Sequence, residues 1–431
     1  MTTQALGHYE ILPEDGEQEL LALVRAPQPD LAGTLCRANE ALEREGSGWR
    51  LEAEEGGTHP FVIPLEVTFR QPAGVRPLPG TAELARFLDT LRLAVPLFAD
   101  VMLFPSPGHK PHAGPPPLTR GDFNRVPVAV LAEPPRRSAA AAGRRPVVAL
   151  LDTSVDPHPW LGEPDQRLGG DGFWVDARSL GWDPGPRVHS PAPPDGPELG
   201  DNEGHGTFSA GLVRQVAPDA QVLAVRVIPD RGQVHGDHVL NALAWLAADS
   251  RLVDGDVVCL PAGLRPGLPT DRTFLEWLAE VLELLAGRGV RVVAAAGNDG
   301  RSEPVYPAAF AASAGVPDGV RVVSVGATNP DGKTPAYFSN HGSWVTRWEV
   351  GTSVVSTFPR VNGGAAPELV AGPGPSDPAG FERRSADPDD FSGGFARWSG
   401  TSFAAAICAA RLARAGSVPA PPAGVAPAVL R

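Results

Sequence analysis

Three reactive side chains of different chemistry lie in three short stretches far apart in the chain: 147–156 (VVALLDTSVD), 204–212 (GHGTFSAGL) and 399–406 (SGTSFAAA). They carry Asp152, His205 and Ser402. Acyl transfer through a serine needs this set of groups. The hydroxyl attacks, the imidazole takes its proton, and the carboxylate orients the imidazole. Each residue alone has an ordinary explanation: a serine at a helix start caps it, an aspartate after a strand closes a turn, and a histidine between glycines is commonly structural. The weight lies in the combination and its order, Asp then His then Ser, one of three chain orders in which this constellation occurs.

Such groups meet only if the elements carrying them converge. The unbroken apolar run VVALL before Asp152 suits a strand buried on both faces of a parallel sheet. Asp152 then stands at the carboxyl end of that strand, where open α/β sheets place their functional groups. Residues 206–213 read as a helix start, 220–227 (AQVLAVRV) as a strand, 236–249 as a helix and 256–260 (DVVCL) as another buried strand. Leu275, Leu278, Val281, Leu282 and Leu285 recur at helical spacing over 274–287. Strands follow over 289–296 and 319–325, and Ser402 opens an apolar helix over 403–413. Strands alternating with helices at this rhythm predict a doubly wound, mainly parallel α/β sheet.

The chain resembles the subtilisin-like serine peptidases, the subtilase family, from about residue 145 to 416. Asp152, His205 and Ser402 fall on that family's catalytic residues, and 292–300 (VVAAAGNDG) matches the strand that ends in its oxyanion-hole asparagine, here Asn298. The resemblance implies a serine endopeptidase acting on polypeptides through an acyl-enzyme, with Asn298 and the Ser402 N–H as oxyanion donors. It requires no cofactor. Calcium sites are common in the family, but no ligand cluster is assigned, and Asp201-Asn202-Glu203 reads as a solvated turn. The competing reading is a catalytically weak subtilase scaffold used for regulation or protein binding.

Several positions depart from the family pattern. Ser154 stands where glycine is usual, a strained choice if that position needs a positive φ. Phe208-Ser209 stands where the family often has another histidine or valine, Phe403 replaces a common methionine and Ala406 a proline, substitutions that flank the reactive atoms and read as packing. Pro261-Ala262-Gly263 stands where the family has its substrate-pairing strand, and Pro261 cannot donate to a ladder. Residues 359–397 form a long Gly-, Pro-, Asp- and Ser-rich surface loop, and 417–431 a Pro/Ala-rich tail.

The family's edge segment that pairs with extended peptides falls on 233–236, making Val234, His235 and Gly236 candidate substrate contacts beside Ala262 and Gly263. His235 itself reads as a solvated edge residue. The floor of the P1 pocket (the subsite for the side chain before the scissile bond) falls on Val305, just before Tyr306-Pro307, and favours small or medium apolar groups. Asp299, beside Asn298, would instead attract a basic group across the rim. The two hints pull in opposite directions.

Composition sets the remaining bounds. A length of 431 residues suggests two or three domains. Net charge is −13, which argues against a nucleic-acid binder. Cys259 and Cys408 fall in a core strand and helix and read as inert buried thiols. No apolar run reaches membrane-spanning length, and 1–19 lacks the basic and apolar regions of a secretory signal, so a cytoplasmic chain with no membrane partner is expected. Residues 1–104 form a separate α+β unit, with strands over 20–25, 49–54, 61–69 and 97–104 and helices over 31–45 and 81–95. That βαββαβ order fits a ferredoxin-like domain, and the subtilase propeptide has the same order. The unit is therefore either an intramolecular inhibitor or an unrelated adaptor. A Pro-rich linker covers 105–121, and the peptidase domain 122–416. Within it the basic, Ala-rich stretch 136–145 is a candidate for cleavage.

Overall fold

The computed structural model describes residues 20–25, 30–44, 49–53, 57–58, 62–69, 97–99, 102–105, 125–138, 144–185, 188, 199–231, 234–248, 251–265, 271–312, 322–361, 370–371, 383–384, 387 and 390–416. The first elements are β1 (Leu20–Arg25), α1 (Leu31–Arg44), β2 (Trp49–Ala53), β3 (Val62–Phe69) and β4 (Leu97–Ala99). They form an antiparallel sheet in the order β2-β3-β1-β4. The helix expected over 81–95 lies outside the described residues. The strand expected over 97–104 is two strands: β4 stays in this sheet, whereas β5 (Met102–Pro105) leaves it and pairs elsewhere.

The rest of the chain runs β6 (Val126–Pro127), β7 (Val147–Asp152), β8 (Trp174–Asp176), α2 (His205–Val216), β9 (Gln221–Arg226), β10 (Val234–His235) and α3 (Gly236–Ala247). It continues through β11 (Val257–Leu260), β12 (Ala262–Gly263), α4 (Asp271–Gly287), β13 (Arg291–Ala295) and β14 (Val322–Thr328). Last come β15 (Arg347–Val350), β16 (Val354–Thr357), β17 (Val370–Ala371), β18 (Arg383–Arg384), β19 (Phe395–Trp398) and α5 (Thr401–Gly416).

Seven strands form a parallel sheet in the order β15-β14-β13-β11-β7-β9-β8. After β7 the chain first builds outward through β8 and β9, then returns to the other side of β7 at β11. This reversal at β7 is the topological switch point of a doubly wound fold, and Asp152 ends that strand. Both sheet faces are covered, which explains why β7 is apolar up to Asp152. Val147, Ala149 and Leu151 face the core built with α3 and α4, and Val148 and Leu150 the core built with α2 and α5. Each of these leucines is at most 1% exposed, a burial that contributes about 1.5–3 kcal/mol per side chain.

Buried polar contacts fix where β7 begins. Asp256 is 1% exposed and fully answered: Arg144 donates to both its oxygens at 2.8 and 2.7 Å, with the N–H groups of Val147 and Val253 at 2.8 and 3.0 Å. Ser138 and Arg145 are both tied to Asp219. The stretch proposed for cleavage is thus anchored at both ends, and 139–143 between them lies outside the described residues.

Some expectations are corrected. The end of the long loop over 359–397 is a strand, β19, because Phe395, Ala396 and Trp398 are apolar enough to bury and pair antiparallel with β16. The turn at Asp201–Glu203 is not simply solvated: Asn202 is 2% exposed and its Nδ2 donates to the Pro229 carbonyl. Ser154 carries no positive φ, since Ser353 (φ 54°) is the only such non-glycine among the described residues, so the glycine-to-serine change costs no backbone strain there. Among those residues no helix is long and apolar enough to cross a membrane.

Candidate active site

Asp152, His205 and Ser402 reach one locus from β7, α2 and α5, although 53 positions separate the first two and far more the third. All three are at most 1% exposed. His205 opens α2 directly after Gly204, and its Nδ1 donates to Asp152 Oδ1 at 2.6 Å. The same oxygen accepts the Thr153 N–H at 2.7 Å, and Ser209 Oγ donates to Asp152 Oδ2 at 3.0 Å. Thr153 Oγ1 accepts the Gly206 N–H at 2.8 Å, clamping the start of α2 to the end of β7. Phe403 and Trp398 pack on the imidazole at centroid distances of 5.0 and 5.6 Å.

Ser402 lies in the first turn of α5, where backbone N–H groups have no partner within the helix. The segment before it is held firmly: Gly400 N–H donates to the Gly351 carbonyl at 2.8 Å, and Ser353 N–H to Ser399 Oγ at 2.9 Å. Ser402 Oγ donates to the Pro261 carbonyl at 3.3 Å, and His205 Nε2 is buried with no hydrogen-bond partner.

Asn298 has a fixed orientation. Its Oδ1 accepts the Thr401 N–H and Oγ–H, both at 2.9 Å. A backbone N–H only donates, so the atom facing it must be the oxygen, and Nδ2 is left buried without a partner. Gly297, at φ 99°, makes the bend that turns the amide this way, a conformation L side chains rarely adopt. Thr401 was not legible as an orienting residue, because its role depends on two segments meeting across more than a hundred positions.

The predicted substrate edges divide. β12 (Ala262–Gly263) and β10 (Val234–His235) both exist, but Gly236 is the first residue of α3 and not part of the edge. His235 is half-buried against His238, not freely solvated. Between β10 and β12 runs β5, antiparallel to both: Val234 pairs with Leu103 and His235 with Met102, while Ala262 pairs with Pro105 and Gly263 with Phe104. Nothing in the sequence pointed to this strand exchange. Pro261 lies between β11 and β12 and belongs to neither strand.

Val305 is 5% exposed and its Cγ1 fills the space a Cβ on Gly263 would need. Asp299 is paired with Arg265, so its charge is already answered. Burial pushes the Cys259 thiol well up, with Asp152 adding to the effect, and pushes Cys408 up to about 11; both thiols are protonated and inert at neutral pH. No group of three or more His, Cys, Asp or Glu is arranged to hold a metal among the described residues.

A protein-family model described as the subtilase family matches residues 143–422. Subtilisin BL of Lederbergia lenta is 29% identical over 221 residues, 49% of this chain and 66% of that protein. The minor extracellular protease Epr of Bacillus subtilis is 31% identical over 168 residues, 37% of this chain and 23% of that protein. The chain thus spans less than two thirds of these curated relatives. Among solved structures, a cold adapted subtilisin-like serine proteinase aligns over 66% of this chain and 80% of its own at 22% identity, with a TM-score of 0.40. The family match alone covers well over half of the sequence, and the chain belongs to the subtilase family.

Proposed function

We propose that the chain is a serine endopeptidase working through Asp152, His205 and Ser402, with access to the site governed by its own N-terminal region. The observation that carries the first part is the buried Asp152–His205 bond at 2.6 Å beside a serine in a helix first turn. As Ser402 Oγ attacks a scissile carbonyl carbon, its proton passes to His205 Nε2, and Asp152 stabilises the imidazolium through Nδ1–H. The carbonyl oxygen, now an anion, takes hydrogen bonds from Asn298 Nδ2 and the Ser402 N–H. His205 returns the proton to the leaving nitrogen as the C–N bond breaks, and water releases the acyl group by the same path. The hydroxyl must first turn from the Pro261 carbonyl to Nε2, a bond that in free enzymes commonly tightens only with substrate in place.

The substrate is a polypeptide in extended form, added as a strand between β10 and β12. Val305 favours small or medium apolar P1 groups, and with Asp299 neutralised by Arg265 the case for a basic P1 loses its free charge. β5 occupies that same place, which supports reading the N-terminal region, expected from sequence to be ferredoxin-like, as an intramolecular inhibitor rather than a detached adaptor. The weaker-scaffold reading has its own support in the partnerless Nε2 and the Ser402–Pro261 bond.

Labelling of the purified full chain with a fluorophosphonate, followed by intact mass, separates these readings. An adduct that Ser402→Ala abolishes supports the peptidase. No adduct, even after pairing of β5 is disrupted by Leu103→Pro, supports the inert scaffold.

A further inference from the structure

In the histidine motif, Ser209 stands four residues after His205. Positions i and i+4 share one face of a helix, so α2 presents an imidazole and a hydroxyl toward the end of β7 together. They take one oxygen each of the same carboxylate: His205 Nδ1 reaches Asp152 Oδ1 at 2.6 Å, and Ser209 Oγ reaches Oδ2 at 3.0 Å. Ser209 and Asp152 are each 1% exposed, so the carboxylate is shielded from bulk solvent. A mid-helix serine ordinarily turns its hydroxyl back to the carbonyl one turn earlier. Here the proton goes to Asp152 instead.

We propose that Ser209 is a positioning residue that acts through Asp152, fixing the carboxylate plane against His205 and drawing charge from Oδ2 so that the imidazole releases its proton at lower pH. The proposal rests on the catalytic roles given above. The other groups near the carboxylate do not duplicate this function. From β11, Cys259 faces Asp152 as a neutral thiol, with Cys408 of α5 behind it. On β9, Arg226 pairs in register with Asp152, but its guanidinium turns to Asp230 at 2.8 Å. The remaining donor, the Thr153 N–H, is bound to Oδ1. Among the described residues, Oδ2 depends on Ser209.

A hydrogen bond donated to an anion stabilises it and weakens its pull on a neighbouring proton. Without it, Asp152 holds the imidazolium more strongly but in a less defined orientation. The test compares the full-length protein with Ser209→Ala, Ser209→Val and Ser209→Thr. Reading kcat and KM on a peptide substrate across pH, with fluorophosphonate titration to count competent sites, Ser209→Ala and Ser209→Val should lower kcat on the order of tenfold with KM unchanged. The acid limb of kcat/KM should move to higher pH, and Ser209→Thr should return both toward the parent. The far-downfield proton resonance of the His205 Nδ1–H should shift further downfield in Ser209→Ala and return in Ser209→Thr. An unmoved acid limb and an unmoved resonance in Ser209→Ala would overturn the proposal, as would a threonine variant that behaves like alanine. The resonance needs no turnover. If the parent takes up no fluorophosphonate, the catalytic reading fails by itself, and the resonance still decides for or against Ser209.

Discussion

The two parts of the proposed site, reactive and substrate-binding, are built on opposite principles. At the reactive end, Asp152, His205, Asn298 and Ser402 project from β7, α2, the segment after β13 and α5, each packed into a continuous core and each with its carboxylate, amide or backbone held by neighbours. At the substrate end, β10 and β12 are two residues long, and their partner is β5, a segment that arrives from outside the seven-stranded sheet. On the proposed reading, chemistry falls to deeply buried parts of the core, and access to a short strand pairing that local changes can undo. The two functions should separate under mutation.

The reactive end should break most completely. Asn298→Ala removes the donor without touching Ser402 or His205, and kcat should fall by about 10²–10³, the range seen for the matching donor in subtilisin, with KM little changed. Steady-state kinetics on a peptide ester checks this. A loss confined to KM would mean that Nδ2 contacts substrate and not the oxyanion.

At the substrate end, changes should redirect activity more than abolish it. Val305→Gly removes the side chain that lies over Gly263. The ratio of kcat/KM for a large apolar P1 group over alanine should rise on the order of tens-fold, since one methylene in an apolar pocket decides about 10–200-fold. Competition between two such peptides reads this directly, and an unchanged ratio would place the P1 pocket elsewhere. A smaller effect is expected from loosening β5. Leu103→Pro removes one backbone donor from the residue that pairs with Val234, and a strand hydrogen bond is worth about 1 kcal/mol. Fluorophosphonate labelling should then speed up roughly fivefold. No acceleration would mean that β5 does not control access.

This division also describes what the sequence revealed. The reactive end was legible because each group ends or opens an apolar run: VVALL before Asp152, VVAAA before Gly297-Asn298, and the helix after Ser402. Burial demands such runs, so the elements and their order follow from local pattern. β8, β15, β16 and β19 are short and mixed in composition, and their strand character comes from the neighbours they pair with. β5 was read as the end of a longer strand in the N-terminal sheet, since a four-residue segment carries no mark of which sheet it will join. Ser209 was visible as a departure but read as packing; its hydroxyl gains meaning only when α2 lies against Asp152.

The smallest expected effect concerns stability at the reactive end, where His158 joins the segment after Asp152 to the strand that leads into Ser402. It is 4% exposed and stacks edge-on against Phe395. Nδ1 accepts the Trp160 N–H at 3.1 Å, so Nε2 carries the proton and donates to the Gly394 carbonyl at 2.8 Å. The folded site therefore holds the neutral ring, and burial, aided by Arg360, lowers its pKa from the usual value of 6.5. With the folded pKa below the unfolded one, the unfolded chain binds the extra proton first as pH falls. The stability this group contributes is complete above pH 6.5 and is lost as pH drops from there through the folded pKa, at no more than about 1.4 kcal/mol per pH unit for one proton. His158→Gln keeps a donor for Gly394 and cannot be protonated. Urea unfolding of the two proteins from pH 7.5 downward should therefore give curves that diverge only below about pH 6.5, with the variant the flatter one. Parallel curves throughout would mean that the folded and unfolded chains take up this proton equally, so that burial does not hold the ring neutral and the bridge to Gly394 tolerates the charged form.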